Sequence, residues 1–417
     1  MKHVIVGNGP AGVVAAETLR KLDPGSSITL IGDEAEPPYS RMALPYLMMG
    51  RIGEAGTYLR KDADHYARLG IGLVRDRVNA VDTGSKRLEL AGGDAIAYDR
   101  LLIATGCHPI RPPIPGIDLP GVHSCWSMTD ARAILARAGP GTRVLQIGAG
   151  FIGCIIMEAL AMRGLHLTVV EMGDRMVPRM MTPVAGTMIR SWCERKGVRV
   201  HLGSRVTVLA RPGGEHGPLV ATLGNGEHVE ADLVIVAAGV HPNTEFLRGS
   251  GIACNTGVLV DPSMQSNVDG VFAAGDVAEA IDFSTGQHAL NAVQPAAVDQ
   301  ARTAAFNMAG RPVASRGSLM LNVLDTMGLV SSSFGKWWGD PQGQSVELVD
   351  EVGFRYLSLQ FEGDVLVGAT SIGLTEHVGV LRGLIEGRVR LGPWKDQLLR
   401  EPLRIVEAYV ARAQAAA

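Results

Sequence analysis

Gly7, Gly9 and Gly12 stand at the spacing G-x-G-x-x-G, with Asn8, Pro10 and Ala11 between them. Glycines make and break no bonds; they remove side chains so that backbone N–H groups can meet an anion. In this pattern the first glycine permits a tight turn and the second lets a pyrophosphate approach the backbone. The third lets a helix pack closely on a strand. Gly148, Gly150 and Gly153, with Phe151 and Ile152 inside the motif, repeat the spacing. About twenty residues after each copy comes a carboxylate placed to accept hydrogen bonds from an adenosine ribose: Asp33 or Glu34, and then Glu171. Two complete copies imply two bound dinucleotides. Glu171 also discriminates between nicotinamide cofactors. A carboxylate bonds a free ribose 2′-OH but repels a 2′-phosphate, and the first cation after it is Arg175, so the pattern favours NAD(H) over NADP(H).

These residues need strands and helices to position them. Residues 3–7 read as a short buried strand and the glycine loop opens an amphipathic helix to about Leu22, stopped by Asp23-Pro24-Gly25. A second strand follows from Ser27 to Ile31. The later copy has the same grammar: strand 142–147, a helix to about Gly164, and a strand from Leu165 to Val170. Three more apolar runs end on small residues. Tyr98 to Ile103 closes on Ala104-Thr105-Gly106, Leu233 to Ala238 on Gly239, and Val271 to Ala274 on Gly275-Asp276. Asp276 is also a suitable cap for a helix starting nearby. The run Asn291 to Pro295 begins a further helix, with Pro295 in its first turn. After residue 312 the pattern changes to short strands, a hairpin around Glu362-Gly363-Asp364, and helices near 376–388 and 397–414. The fold class is α/β, with two Rossmann-like domains and a C-terminal α+β domain.

Composition supports this reading. The 417 residues include 52 glycines, where average usage of about 7% gives roughly 29. No Gly-X-Y period or Ser/Gly tract accounts for the surplus, which leaves close backbone approach. Hydrophobic residues at 46% and charged residues at 19% suit a globular core. A net charge of −3 without a run of five like charges gives no footprint for nucleic acid or an anionic membrane. The longest apolar stretch, Ile147 to Met162, is broken by glycines and Glu158 and is too short to span a bilayer. The N-terminal apolar run is explained by its glycine pattern rather than as a signal peptide. Five cysteines, at 107, 125, 154, 193 and 254, form no C-x-x-C, as expected in a reducing compartment, the cytoplasm. No His or Cys spacing suggests a metal site.

With the motifs in this order, the chain resembles the FAD-dependent pyridine nucleotide–disulfide oxidoreductase superfamily. The resemblance implies an FAD domain in two parts, 1–110 and 241–315, interrupted by an NAD domain, 111–240, and followed by an interface domain, 316–417. It implies FAD on Gly7, Gly9, Pro10, Ala11, Gly12, Asp33, Glu34, Arg41, Ala104, Thr105, Gly106, Gly275, Asp276, Gln294 and Pro295. It implies NAD on Gly148, Gly150, Phe151, Ile152, Gly153, Glu171 and Gly239. The helix starting near Gln294 would point its positive end at the flavin pyrimidine.

Disulfide reductases of the superfamily carry a redox cysteine early in the flavin domain. Here no cysteine precedes Cys107, so dithiol chemistry is not expected; Cys107 lies next to a flavin motif, and Cys154 reads as packing. In place of that cysteine stands Pro37-Pro-Tyr-Ser-Arg41-Met-Ala-Leu-Pro-Tyr46. It is similar to the P-P-Y-D-R-P-P-L-S-K segment of ferredoxin, putidaredoxin and rubredoxin reductases and of apoptosis-inducing factor. Arg41 is retained, which implies a contact with the FAD pyrophosphate, whereas the lysine near flavin N5 is replaced by Tyr46. Ile155 replaces a glutamate frequent in relatives. There is no F-W-S-D-Q segment, and residues 321–334 look more like the flavin portion of assimilatory nitrite reductases.

In such enzymes the cofactors carry the chemistry, so no side chain is assigned as catalytic. Without an internal disulfide, the implied acceptor is a one-electron partner: an iron–sulfur protein, or a cluster-bearing subunit of a larger complex such as a tungsten aldehyde oxidoreductase. No cysteine spacing in this chain could hold the cluster. The alternatives are an NADH oxidase reducing O2 and a non-enzymatic, NADH-sensing flavoprotein scaffold. The interface domain often supports a homodimer or a partner. Trp337-Trp338 is read as docking or packing, and Arg382, Arg388 and Arg390 as a basic face or solvated helix charges.

Overall fold

Strands buried on both faces read as unbroken apolar runs rather than alternating ones, and such runs favour parallel sheets covered by helices. Lys2–Val6, Ser27–Gly32, Ile71–Arg75, Arg100–Ile103 and Val271–Ala273 form one such sheet. Its strand order is 271–273, 100–103, 2–6, 27–32, 71–75, all parallel, with Val6 paired to both Ile31 and Ile103. Arg143–Ile147, flanked by His166–Val170 and Leu233–Val236, is the centre of a second parallel sheet, bounded by Arg199–His201 and Val122–Ser124. The computed structural model describes residues 1–214 and 217–413. Among them no helix is long and apolar enough to cross a membrane, and no group of three His, Cys, Asp or Glu residues could hold a metal ion.

The chain divides into two compact units. The first comprises Met1–Leu47, Ile52–His108 and Val240–Ser318; the second comprises Met48–Arg51, Pro109–Gly239 and the chain from Leu319 on. In the first, helix Pro10–Leu22 packs between the sheet and helix Gln294–Met308, and Ile5, Leu19, Leu101 and Leu102 are fully buried. Each such side chain contributes about 1.5–3 kcal/mol relative to exposure. The strand behind Gly275-Asp276 is followed by another strand, Ala278–Ile281, and the next helix starts only at Gln294. Asp276 therefore caps no helix, and that sequence alternative falls.

In the second unit, a five-stranded antiparallel sheet has the order 321–326, 329–335, 365–372, 355–362, 344–350. Helices Val378–Glu386, Pro393–Arg400 and Ile405–Ala413 follow it. The expected hairpin is present between Arg355–Glu362 and Val365–Ile372, with Gly363 at φ +60° in its turn. Helix Phe151–Ala161 packs on strand Leu321–Thr326, and Tyr356 Oη lies 2.8 Å from Thr182 Oγ1. Met48, within a segment adjacent in sequence to the first unit, is buried here, with Cys125 Sγ 3.4 Å from its sulfur. The two tryptophans differ: Trp337 is buried and Trp338 is half exposed, their rings edge to face at 5.5 Å. Arg382 pairs with Glu386 and Arg390 with Asp364, so this face carries less free positive charge than its arginines suggest.

Candidate dinucleotide sites

Each unit places a glycine loop between the carboxyl end of a central parallel strand and the start of a helix. In the first, Gly7 follows strand Lys2–Val6 with φ +109°, and a Cβ there would stand 2.0 Å from the Ala104 carbonyl oxygen. A Cβ on Gly12 would stand 1.8 Å from the Gly7 carbonyl oxygen. Both glycines are therefore demanded by the protein itself. Gly9 is different: its φ of −73° and ψ of −172° suit any residue, and a Cβ would meet no described atom within 4 Å. Nothing in the described protein explains this glycine, whereas a ligand lying on the loop does.

The second unit repeats the arrangement. Gly148 has φ +103° and its Cβ would stand 2.3 Å from the Ala237 carbonyl oxygen; a Cβ on Gly153 would stand 2.6 Å from the Gly148 carbonyl oxygen. Gly150, with φ −75°, again has open space. Helices Pro10–Leu22 and Phe151–Ala161 both begin without a side-chain cap among the described residues, so their first N–H groups are left for another acceptor. Two helices in the second unit are closed differently, Met128–Leu135 by a Ser127–Asp130 capping box and Pro183–Arg195 by Thr182.

In the first unit the structure brings the Gly275-Asp276 turn to the same loop. A Cβ on Gly275 would lie 3.2 Å from the Ala11 side chain and 3.5 Å from that of Ala297, so the Gly-Asp turn sits beside the starts of both helices. Helix Gln294–Met308 carries Pro295 in its first turn and no side-chain cap; Ser40 Oγ donates to Gln294 Oε1 at 3.0 Å. Asp276 receives one hydrogen bond among the described residues, from the Cys107 thiol at 3.5 Å. Burial raises its carboxyl pKa, and most of its accepting capacity is unused by the protein. An uncapped helix, a glycine without a protein reason and an underused acidic group together fit a dinucleotide that carries a polyhydroxylated chain.

Other residues are placed less simply. Asp33 is half exposed and 3.3 Å from Arg77, whereas Glu34 is held by Tyr39 Oη at 2.6 Å and Arg41 at 2.5 Å. Arg41 lies within electrostatic reach of Cys107 and Asp276. Thr105 donates its hydroxyl to the Asn243 carbonyl at 2.9 Å, so that proton is already committed. Ala104 is buried at the Gly7 contact, and Gly106 has φ +64°. In the second unit the Glu171 carboxylate accepts the Ala149 and Gly173 N–H groups, each at 2.7 Å, which fixes it beside the glycine loop. Phe151 and Ile152 form the first turn of the helix, half-buried, and Gly239 has φ +106°. Tyr46 is half exposed. Sequence reasoning missed Asn243; its only local signal is a Pro-Asn pair following the strand that ends near Gly239.

A family model described as pyridine nucleotide-disulphide oxidoreductase matches residues 1–301. The chain belongs to this family. Its relatives include an NADH-dependent phenylglyoxylate dehydrogenase subunit epsilon from Aromatoleum evansii, 33% identical over 408 residues, 97% of this chain and 96% of that one. The ferredoxin–NAD(+) reductase component of a biphenyl dioxygenase system from Paraburkholderia xenovorans is 34% identical over 310 residues, 74% and 75% of the two chains. Among solved structures, the covalent putidaredoxin reductase–putidaredoxin complex matches with a TM-score of 0.91 at 23% identity, covering 98% of each chain, a likeness of fold. The protein is thus an FAD-dependent NAD(H) oxidoreductase.

Four of the five cysteines of this oxidoreductase are buried. Burial, reinforced by the Asp276 carboxylate, pushes the Cys107 thiol far above its ordinary range. Burial likewise pushes Cys125 and Cys193 up to about 12 and Cys154 well above the usual value, and none of these three is a ready thiolate. Cys254 alone is exposed. Maleimide treatment of the native protein at neutral pH is expected to label Cys254 only, leaving NADH-driven flavin reduction unchanged. Peptide mass spectrometry checks this; loss of reduction in step with labelling at Cys107 would reverse the assignment.

Proposed function

We propose that the protein exchanges hydride with NAD(H) and single electrons with an iron–sulfur protein or a cluster-bearing partner subunit. The supporting observation is the pair of glycine turns at uncapped helix starts, one in each unit, in a chain that buries four of its five cysteines. FAD is assigned to the first unit, with the helix Pro10–Leu22 N-terminus facing the pyrophosphate and Asp276 accepting from the ribityl hydroxyls. NAD(H) is assigned to the second, with Glu171 on the adenosine ribose. When bound, FAD takes two electrons as hydride and can release them singly. The protein's own part is to bind and orient: uncapped helix starts neutralise pyrophosphate, and the start of helix Gln294–Met308 favours negative charge on the flavin pyrimidine.

The partner is read as an iron–sulfur carrier of a free reductase or as a cluster-bearing subunit of a larger assembly. Similarity to the subunit epsilon relative covers 97% of the chain and similarity to a rubredoxin–NAD(+) reductase from Pseudomonas putida covers 93%, so near-full-length likeness supports both kinds of partner. Direction then depends on the potential of the partner, and electrons can run toward NAD+.

Under anaerobic conditions NADH is expected to bleach the bound flavin within seconds, and the reduced protein to reoxidise rapidly only with a cluster-bearing acceptor. Rapid NADH consumption in air without a protein acceptor would replace this reading with that of an NADH oxidase. Flavin that NADH does not bleach would replace it with that of a sensing scaffold.

A further inference from the structure

Asn243 makes four hydrogen bonds, all to the segment Thr105–His108. Its Nδ2–H donates to the Thr105 carbonyl at 2.8 Å, and its own carbonyl accepts the Thr105 hydroxyl at 2.9 Å. Its backbone N–H donates to the Gly106 carbonyl at 2.9 Å, and Oδ1 lies 2.6 Å from His108 Nδ1. The amide orientation follows from chemistry: a carbonyl can only accept, so the nitrogen faces Thr105 and the oxygen faces His108. His108 Nδ1 must then carry a proton. This clasp sits where the chain leaves the first unit after His108 and returns to it at Val240.

The clasped segment leads directly to the flavin-side acid. Thr105 and Gly106 form the turn closing strand Arg100–Ile103, Gly106 at φ +64° with open space around its α-carbon. The next residue, Cys107, holds Asp276 through its thiol. Thr105 cannot offer its hydroxyl proton to a ligand while Asn243 accepts it.

We infer that Asn243 is a positioning residue for FAD: it fixes the Thr105–Cys107 turn, and through Cys107 the Asp276 carboxylate. The inference rests on FAD occupying the first unit. It assigns Thr105 to holding the turn rather than to ligand contact through its hydroxyl.

Asn243→Asp separates the two side-chain bonds. It keeps an acceptor for His108 Nδ1–H but loses the donor to Thr105, and at neutral pH sets a carboxylate against a carbonyl. His108→Ala removes the other bond only. Apo-protein titrated with FAD is expected to bind about tenfold more weakly with Asn243→Asp, the scale of losing one well-placed hydrogen bond. His108→Ala is expected to bind within about twofold of wild type, a loss below that of one such bond. The visible flavin bands should shift with Asn243→Asp alone, while KM for NADH stays at the wild-type value. Wild-type FAD affinity and bands in Asn243→Asp would overturn the inference, as would an equal loss in His108→Ala. A lowered apo-protein melting temperature with unchanged bands would reduce Asn243 to a structural role and overturn it too. Wild-type protein that binds no FAD would instead overturn the functional reading, and this inference with it.

Discussion

Gly9→Ala is expected to leave the melting temperature of the apo-protein unchanged while weakening FAD binding by about 10- to 100-fold, the scale of one or two charge-assisted hydrogen bonds. The two effects separate because the glycine is required by nothing in the described protein. Its backbone is extended, a conformation alanine adopts freely, and the added methyl would meet no described atom within 4 Å. The methyl would, however, stand over the start of an uncapped helix, where pyrophosphate oxygens must reach N–H groups. Gly7→Ala is the control with the opposite signature. It forces a side chain into φ +109° and to 2.0 Å from the Ala104 carbonyl oxygen, so stability and FAD binding fall together. A left-handed backbone costs a non-glycine residue about 1–3 kcal/mol before the clash is counted. Thermal melting of the apo-proteins and FAD titration by fluorescence quenching measure both. Wild-type affinity in Gly9→Ala would mean that no dinucleotide lies on this loop.

The same distinction explains what the amino-acid sequence could and could not disclose. Both strand–glycine turn–helix units were legible because each is local: glycine spacing, an apolar strand and a helix lie within a few dozen residues. The C-terminal hairpin was legible for the same reason, through Glu362-Gly363-Asp364. Asn243 was not, because its partners are Thr105, Gly106 and His108, 138 residues away for the Thr105 pair. A side chain that works by clasping a distant turn has no local period to betray it. The mistaken option of Asp276 as a helix cap has a related cause, since aspartate is equally suited to a cap and to an underused ligand acceptor, and only the next element decides.

Polar residues inside the C-terminal sheet were hidden by composition. Ser331, Ser332 and Ser333 form no apolar run, yet all are buried in strand Leu329–Gly335. Cross-strand pairing puts Asn322, Ser333, Thr370, Ser358 and Glu347 in one row on one face. Ser332 is satisfied across the sheet by Ser371 Oγ at 2.7 Å. That pairing exists only once the sheet is assembled, and facing hydroxyls alone do not ensure it: Ser333 Oγ and Thr370 Oγ1, cross-strand neighbours, are both buried without a partner among the described residues.

The preference for NADH is expected to rest on Glu171 alone. Glu171→Ala should lower kcat/KM for NADH by about tenfold, one strong hydrogen bond to a ribose hydroxyl, and produce no comparable gain with NADPH. Removing the carboxylate abolishes repulsion of a 2′-phosphate but supplies nothing to hold it. Arg175, the nearest cation in sequence, is committed: it donates to the Met181 carbonyl at 3.0 Å and the Pro178 carbonyl at 3.1 Å, and pairs with Asp174 at 2.7 Å. Turning it toward a phosphate would leave those carbonyls without their donor. Met172, by contrast, is 76% exposed and directly follows Glu171. Adding Met172→Arg to Glu171→Ala provides a guanidinium with no prior partner, and that double variant should favour NADPH. Steady-state kinetics with both cofactors decides the point. A rise in NADPH efficiency in Glu171→Ala itself would show that Arg175 leaves its carbonyls readily, and that the selectivity lies in the loop rather than in the single carboxylate.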